Sequence, residues 1–158
     1  MFAKVEASPL QLQQLVFTRV HVDALVPSDV TDDIWAPDFD FTDVEFAHEV
    51  MVMPKEGQEE DPREFILALK FAIPNNNENS KLAPYTVDVQ AQAIFTFAPI
   101  FEPKKRESLV TVNGCSMVIG AIREMLCQLT ARSVYGPMTL PTLRFIPEPE
   151  KKEEADQA

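Results

Sequence analysis

A catalytic reading of this sequence must begin with its nucleophiles, bases and metal ligands, and these are few and scattered. His21 and His48 are the only imidazoles and Cys115 and Cys127 the only thiols among the 158 residues. Neither cysteine belongs to a CxxC pair, and the histidines do not stand at ligand spacing from them, so no zinc or redox site is indicated. Unpaired cysteines of this kind read as small buried hydrophobes. The chain contains no GxSxG, no HExxH and no glycine-rich phosphate loop, so the known local ways of placing a serine, a metal or a phosphate are missing. Carboxylates do gather at Asp29, Asp32, Asp33, Asp38, Asp40 and Asp43, yet general acid–base work asks for a positioned partner, and such runs are usually solvated loop faces. The expectation is a protein that binds rather than one that catalyses, without cofactor or metal.

Recognition chemistry is better represented. The segment Asp32-Asp33-Ile34-Trp35-Ala36-Pro37-Asp38-Phe39-Asp40-Phe41 carries the sole tryptophan in a proline-flanked stretch. Two roles are open to Trp35: packing into a core, or lining a groove with Phe39 and Phe41 that accepts apolar side chains, since aromatics dominate binding hot spots. Met51, Met53, Met138 and Leu140 are candidates for the same groove, because methionine adapts to many partners, although it also fills cores. The net charge is −11, from 25 acidic and 14 basic residues, and the longest basic run is Lys104-Lys105-Arg106. Nucleic acid and anionic membrane, which need clustered cations, are poor partners for such a surface, whereas basic polypeptide segments are attracted to it.

The elements that must position these residues follow from periodicity. Residues 65–73 alternate, with Phe65, Leu67, Leu69, Phe71 and Ile73 on one side, and residues 85–97 alternate from Tyr85 to Phe97; both read as strands with one buried face. The linker Pro74-Asn75-Asn76-Asn77-Glu78-Asn79-Ser80 is rich in turn formers and suits a hairpin, so the two strands should pair antiparallel. Residues 10–25 and 38–53 also read as strands, each with one break in register that suggests a bulge. One helix is expected over residues 115–132, where Val118, Ile122, Met125, Leu126 and Leu129 recur at helical spacing before Gly136-Pro137. The thirteen prolines mark boundaries between elements, and no repeat is visible.

The fold class is therefore α+β, a four-stranded antiparallel sheet covered by one long helix, within a single domain over residues 1–146 and an acidic, disordered tail over 147–158. No apolar stretch approaches the roughly 20 residues of a membrane span, and residues 1–10 do not read as a secretory signal, so the cytosol is the expected setting. Four long strands present more apolar area than one helix can hide, which calls for oligomerisation.

Several motifs in one colinear order resemble the SecB protein-export chaperones. Leu15-Val16-Phe17-Thr18-Arg19 is similar to the first-strand segment of that family, and Asp33-Ile34-Trp35-Ala36-Pro37 to its crossover. Ile94-Phe95-Thr96 at the end of a strand, Ala121-Ile122-Arg123-Glu124 in the helix, and Leu140-Pro141 with Phe145 continue the match, which spans residues 10–145. The resemblance implies a homotetramer built as a dimer of dimers, holding unfolded polypeptide clients without ATP. It places Trp35, with Phe39 and Phe41 after it, beside the peptide-binding groove. It also implies docking of the export motor SecA through Asp23 and Asp88, although Val20 or Arg19 fills a second acidic position and Thr86 replaces a leucine near Asp88. Read without the resemblance, Asp23 and Asp88 are ordinary solvated carboxylates. The family's second C-terminal helix has no counterpart, which points to a divergent relative serving export, a toxin–antitoxin system or a mobile element. The other functional reading is a structural or adaptor protein that recognises one partner or peptide.

Overall fold

Four strands form one antiparallel sheet in the order β1-β4-β3-β2. The computed structural model describes residues 1–26 and 34–146; the expected acidic tail and Asp29, Asp32 and Asp33 lie outside the described residues. β1 is Leu10–Ala24, β2 Ala47–Pro54, β3 Glu64–Ile73 and β4 Tyr85–Phe97. The β3–β4 hairpin is central, as its strictly alternating apolar rows require. On one face Phe65, Leu67, Leu69, Phe71 and Ile73 stand beside Val87, Val89, Ala91, Ala93 and Phe95, all at most 2% exposed. Asn75, at a φ of 50°, closes the hairpin by bonding Ala83 through both ends of its amide, at 2.9 and 3.1 Å.

The expected register breaks have two different causes. In β1 they are true bulges, between Leu12 and Gln14 and again between Phe17 and Arg19. Before β2 the chain is not a strand. Residues Ala36–Asp38 form a 3-10 turn, and the Asp40 carboxylate then accepts the Thr42 amide at 2.9 Å and the Thr42 hydroxyl at 2.7 Å. That Asx-type turn, followed by Asp43 at a φ of 65°, delays pairing with β3 until Ala47.

The helical layer is longer than its periodicity suggests. It runs from Pro103 to Thr130 and comprises a 3-10 turn, α1 (Arg106–Leu109), a π-helical segment at Val110–Gly114 and α2 (Cys115–Thr130). The π segment offsets the apolar stripe, and its β-branched Val110, Thr111 and Val112 hide the helix from propensity. At Gly114 the helix backbone approaches the sheet so closely that a Cβ would stand 3.1 Å from Leu67 and 3.2 Å from Phe95. The helix is long and apolar enough to cross a bilayer by composition, with a mean hydropathy of 1.3 in its best window. Its apolar face is consumed by the sheet, however, with Val110, Cys115, Val118, Ile122 and Leu126 fully buried and Glu107, Arg123, Glu124 and Gln128 exposed, so it packs as a core helix.

A buried guanidinium fastens the start of this helix to the β2–β3 loop. Arg106 is 0% exposed and donates to the Pro62 carbonyl at 2.8 Å, the Asp61 carboxylate at 2.7 Å and the Phe101 carbonyl at 3.0 Å. The Arg106 and Arg63 hydrogen bonds hold the Asp61 carboxyl below its ordinary value.

Cover of the sheet is uneven. The helix lies over β3 and β4, and β1 is left as an edge strand with its helix-side residues Leu12 and Val20 41% and 43% exposed. The opposite, open face is graded along the strands. Val16, Ala68 and Met51, with Ile94, Ile66 and Met53, lie in neighbouring rows toward one end, and Arg19, Lys70, Glu49, His21, Asp88 and Asp23 toward the other.

Candidate functional site

The side of the sheet that carries the helix also carries a groove between β2 and the first turns of that helix. Alternation along β2 aims His48, Val50 and Val52 to this side, opposite the buried Phe71, Leu69 and Leu67 of β3. The helix supplies Glu107, Thr111 and Val112, the last two from the π segment, and Phe145 and Ile146 of the C-terminal strand-like segment close one end around a cavity of about 450 Å³. The His48 ring meets Phe145 edge-on at 6.0 Å between centroids. Val50, Val52 and Val112 are half-buried, so the floor is apolar yet reachable. Such a lining sets an apolar floor that can bury bulky side chains beside a polar rim of His48, Glu107 and Thr111 that can bond a guest backbone.

The crossover aromatics stand on the same side of the sheet. Phe39 meets Phe41 edge-on at 4.9 Å, Phe41 stacks with Phe46 at 6.0 Å, and Phe46 with the buried Phe71 at 5.9 Å. Lys81 lies 4.5 Å over the Phe39 ring and bonds the Asp40 carbonyl at 2.6 Å. This row of rings leads from the crossover to the residue paired with His48, so it adjoins the floor of the groove.

Trp35 is 57% exposed and sits on a rigid seat at the far end of the helix. Gly136, at a φ of 80°, lies beneath the indole, where a Cβ would come within 3.2 Å of the ring. Beside it the Ala36 amide donates to the Tyr135 carbonyl at 2.9 Å. The Tyr85 hydroxyl donates to the Gly136 carbonyl at 2.7 Å and accepts the Tyr135 amide at 3.1 Å, while the Tyr135 hydroxyl donates to Leu25 at 2.7 Å. Burial raises the Tyr85 pKa, which keeps that hydroxyl a donor.

The other residues singled out from the sequence do not join this site. Met138 and Leu140 are 0% and 1% exposed: the chain turns back after the helix and inserts them into the core, with the Met138 amide donating to the buried Thr130 hydroxyl at 2.8 Å. Met51 and Met53 are exposed, but they pair with Ala68 and Ile66 on the open face, across the sheet from the groove. A one-residue offset along a strand is enough to make that difference. His48, Val50 and Val52 were the better signal, sharing one period-2 row in a segment already read as a strand. Thr111 and Val112 could not be found without seeing that the helix begins early.

Asp23 and Asp88 both lie on the open face, each beside a cation or imidazole of its own chain. Asp88 accepts from Arg19 at 2.9 Å and Asp23 meets His21 at 2.6 Å; Glu49 and Lys70 pair at 2.8 Å on the same face. Asp88 and Glu49 are thus offset by cations of the same face, and Asp23 is hydrogen-bonded to an imidazole. Cys115 is buried, which pushes its thiol up to about 11, whereas Cys127 is half-buried, not hidden as the sequence suggested.

No family model matches this chain, and no curated protein does. Among solved structures it is similar to a SecB-like chaperone of Mycobacterium tuberculosis in complex with a ChAD peptide from the HigA1 antitoxin. The identity is 16% and the TM-score 0.52, over 85% of this chain and 88% of that one. A protein of unknown function from Streptococcus agalactiae is similar at 14% identity and a TM-score of 0.52, over 89% of this chain and 100% of the other. The four-stranded antiparallel sheet under one long helix is therefore an α+β fold shared with that mycobacterial SecB-like chaperone.

Proposed function

We propose that this protein is a holdase chaperone rather than an enzyme, binding unfolded polypeptide in the groove between β2 and the helix without nucleotide. The carrying observation is the open channel of about 450 Å³ with Val50, Val52 and Val112 in its floor, His48, Glu107 and Thr111 on its rim and Phe145 and Ile146 at one end, in a fold whose mycobacterial neighbour was solved with a bound peptide. Affinity arises from apolar burial at roughly 25 cal/mol per Å², multiplied by several weak sites along one extended client. The crossover, with exposed Trp35 and half-buried Phe39 and Phe41, supplies a second apolar patch for the same client at the other end of the helix. A cytosolic setting suits such a client.

The sites are multiplied by self-association. β1 is a 15-residue strand at the edge of the sheet, with free backbone donors and acceptors and a helix-side row in which Leu12 and Val20 are exposed and Leu15, Phe17 and Val22 half-buried. A second copy paired along β1 buries that row, and a dimer of such dimers is the homotetramer implied by the resemblance. Equilibrium sedimentation should show an oligomer that Leu12→Lys with Val20→Lys dissociates; a monomeric wild-type chain contradicts this part. SecA docking gains no support from Asp23 and Asp88, which are already paired.

The direct test is light scattering during dilution of a chemically denatured client. The pure protein, without nucleotide, should suppress aggregation at roughly stoichiometric oligomer. No suppression across several unrelated clients refutes the holdase reading. The antitoxin peptide on the mycobacterial neighbour favours a second reading, an adaptor for one specific peptide, and affinity capture separates the two: one stoichiometric partner for the adaptor, a mixed set for the holdase.

A further inference from the structure

The groove is not empty along its whole length, and what fills it is part of the same chain. After Gly136 the backbone is extended and runs back along the helix. Its start is marked by the Met138 amide on Thr130 at 2.8 Å and the Thr139 hydroxyl 3.6 Å from the Cys127 sulfur, its end by Phe145 and Ile146 beside Glu107, Thr111 and Val112. The near half is locked, with Met138 and Leu140 fully buried. The far half is looser: Leu143 and Phe145 are half-buried against the core, Thr142 and Arg144 are exposed, and Ile146 is 71% exposed. Among the described residues, no backbone amide or carbonyl of 139–146 bonds another backbone group. Side-chain insertion alone holds this stretch, which is how an extended guest peptide would lie.

We propose that residues 141–146 are a resident occupant of the groove and that client segments bind by displacing them, pivoting on the Met138–Leu140 anchor. This rests on the holdase reading and adds a recognition rule and a regulatory step to it. The resident segment, with Leu143 and Phe145 half-buried against the core, defines the favoured ligand as an extended stretch with bulky apolar side chains at alternate positions. Glu107 in the wall and the net charge of −11 disfavour an acidic stretch. The unfilled cavity of about 450 Å³ beside Phe145 gives a client room for contacts that the resident does not make, so a good client wins the competition and a poor one is refused. The apparent dissociation constant is then the intrinsic one divided by the fraction of protein with the groove vacated.

The test uses the full-length chain and a fluorescein-labelled synthetic peptide copying residues 139–146, read by anisotropy. Leu143→Ser with Phe145→Ser weakens the resident, and this variant should bind the peptide at least about fivefold more tightly than wild type. A peptide with serine at the same two positions should not bind, and a reduced, carboxymethylated unfolded protein should compete. If wild type and variant bind both peptide and unfolded protein equally, displacement is wrong while the holdase reading stands; if neither protein binds either probe, both fall. A measurement on wild type alone guards against a variant that does not fold. The nuclear Overhauser contact between the His48 and Phe145 rings should vanish when unfolded client saturates the protein, and its persistence at saturation overturns the proposal.

Discussion

Trp35 offers the sharpest single perturbation, because it is rigidly seated and largely uncovered. A tryptophan side chain buries up to about 250 Å²; with 57% of the residue exposed, roughly 140 Å² is available to a guest. At about 25 cal/mol per Å², full cover by a client contributes about 3.5 kcal/mol and half cover about 1.8 kcal/mol. Half cover, the realistic case for a shallow surface, corresponds to about a twentyfold change in dissociation constant. Trp35→Ala should therefore weaken binding of an unfolded, tryptophan-free client by about twentyfold in a titration calorimeter. Thermal stability should fall only modestly, because the Ala36 amide keeps its 2.9 Å bond to Tyr135 and the Tyr85 hydroxyl keeps both partners. Trp35→Phe should retain about half of the free energy, since it keeps much of the apolar area. The same indole, being the only one in the chain, should shift its emission to shorter wavelength as client is added. Unchanged affinity in Trp35→Ala, together with unchanged emission in wild type, refutes the assignment of Trp35 to the client surface.

Other outcomes follow from buried polar groups. Arg106→Met should lower stability by about 2–3 kcal/mol in urea unfolding, because the Pro62 and Phe101 carbonyls lose their donor, while Asp61 can turn to solvent. Folding lowers the Asp61 pKa below 3.8, so the unfolded chain takes up that proton first. The contribution of the Asp61–Arg106 pair is complete above the unfolded value and drains as pH falls from there through the folded one, and Asp61→Asn should remove that part of the acid dependence. Tyr85→Phe leaves the Gly136 carbonyl and Tyr135 amide unpaired in the core and should lower stability by about 2 kcal/mol. With its thiol pushed up to about 11 by burial, Cys115 should resist a thiol reagent at neutral pH until the protein unfolds, while Cys127 reacts first.

The central hairpin was readable because Phe65 to Ile73 and Tyr85 to Phe97 alternate without interruption, and period-2 burial on one face leaves no other arrangement. The first bulge in β1 was visible as a slip at Gln14 for the same reason, whereas the second, between Phe17 and Arg19, was not. Where side-chain chemistry overrides pattern, legibility ended: Asp40 bonding Thr42 turned an apparent strand at Phe39 and Phe41 into a turn. The π segment at Val110–Gly114 concealed the helix before Cys115, and with it the wall formed by Thr111 and Val112. Of the two roles the sequence left open for Trp35, its 57% exposure excludes full burial in a core. Residue type alone misled at the methionines and Leu140, because flexibility and polarizability do not reveal which face of a sheet a side chain takes. That choice is settled by strand parity, which separates Met51 and Met53 from Val50 and Val52 by a single residue.

The account depends on clients entering the helix-side groove and not the open face, and methyl resonances on the two faces report this directly. In a titration of the isotopically labelled full-length protein with a permanently unfolded client, the methyls of Val50, Val52, Thr111 and Val112 should shift progressively and saturably. Those of Met51, Met53, Ile66 and Ile94 should stay in place. Shifts confined to the latter set, or none in either, would contradict it.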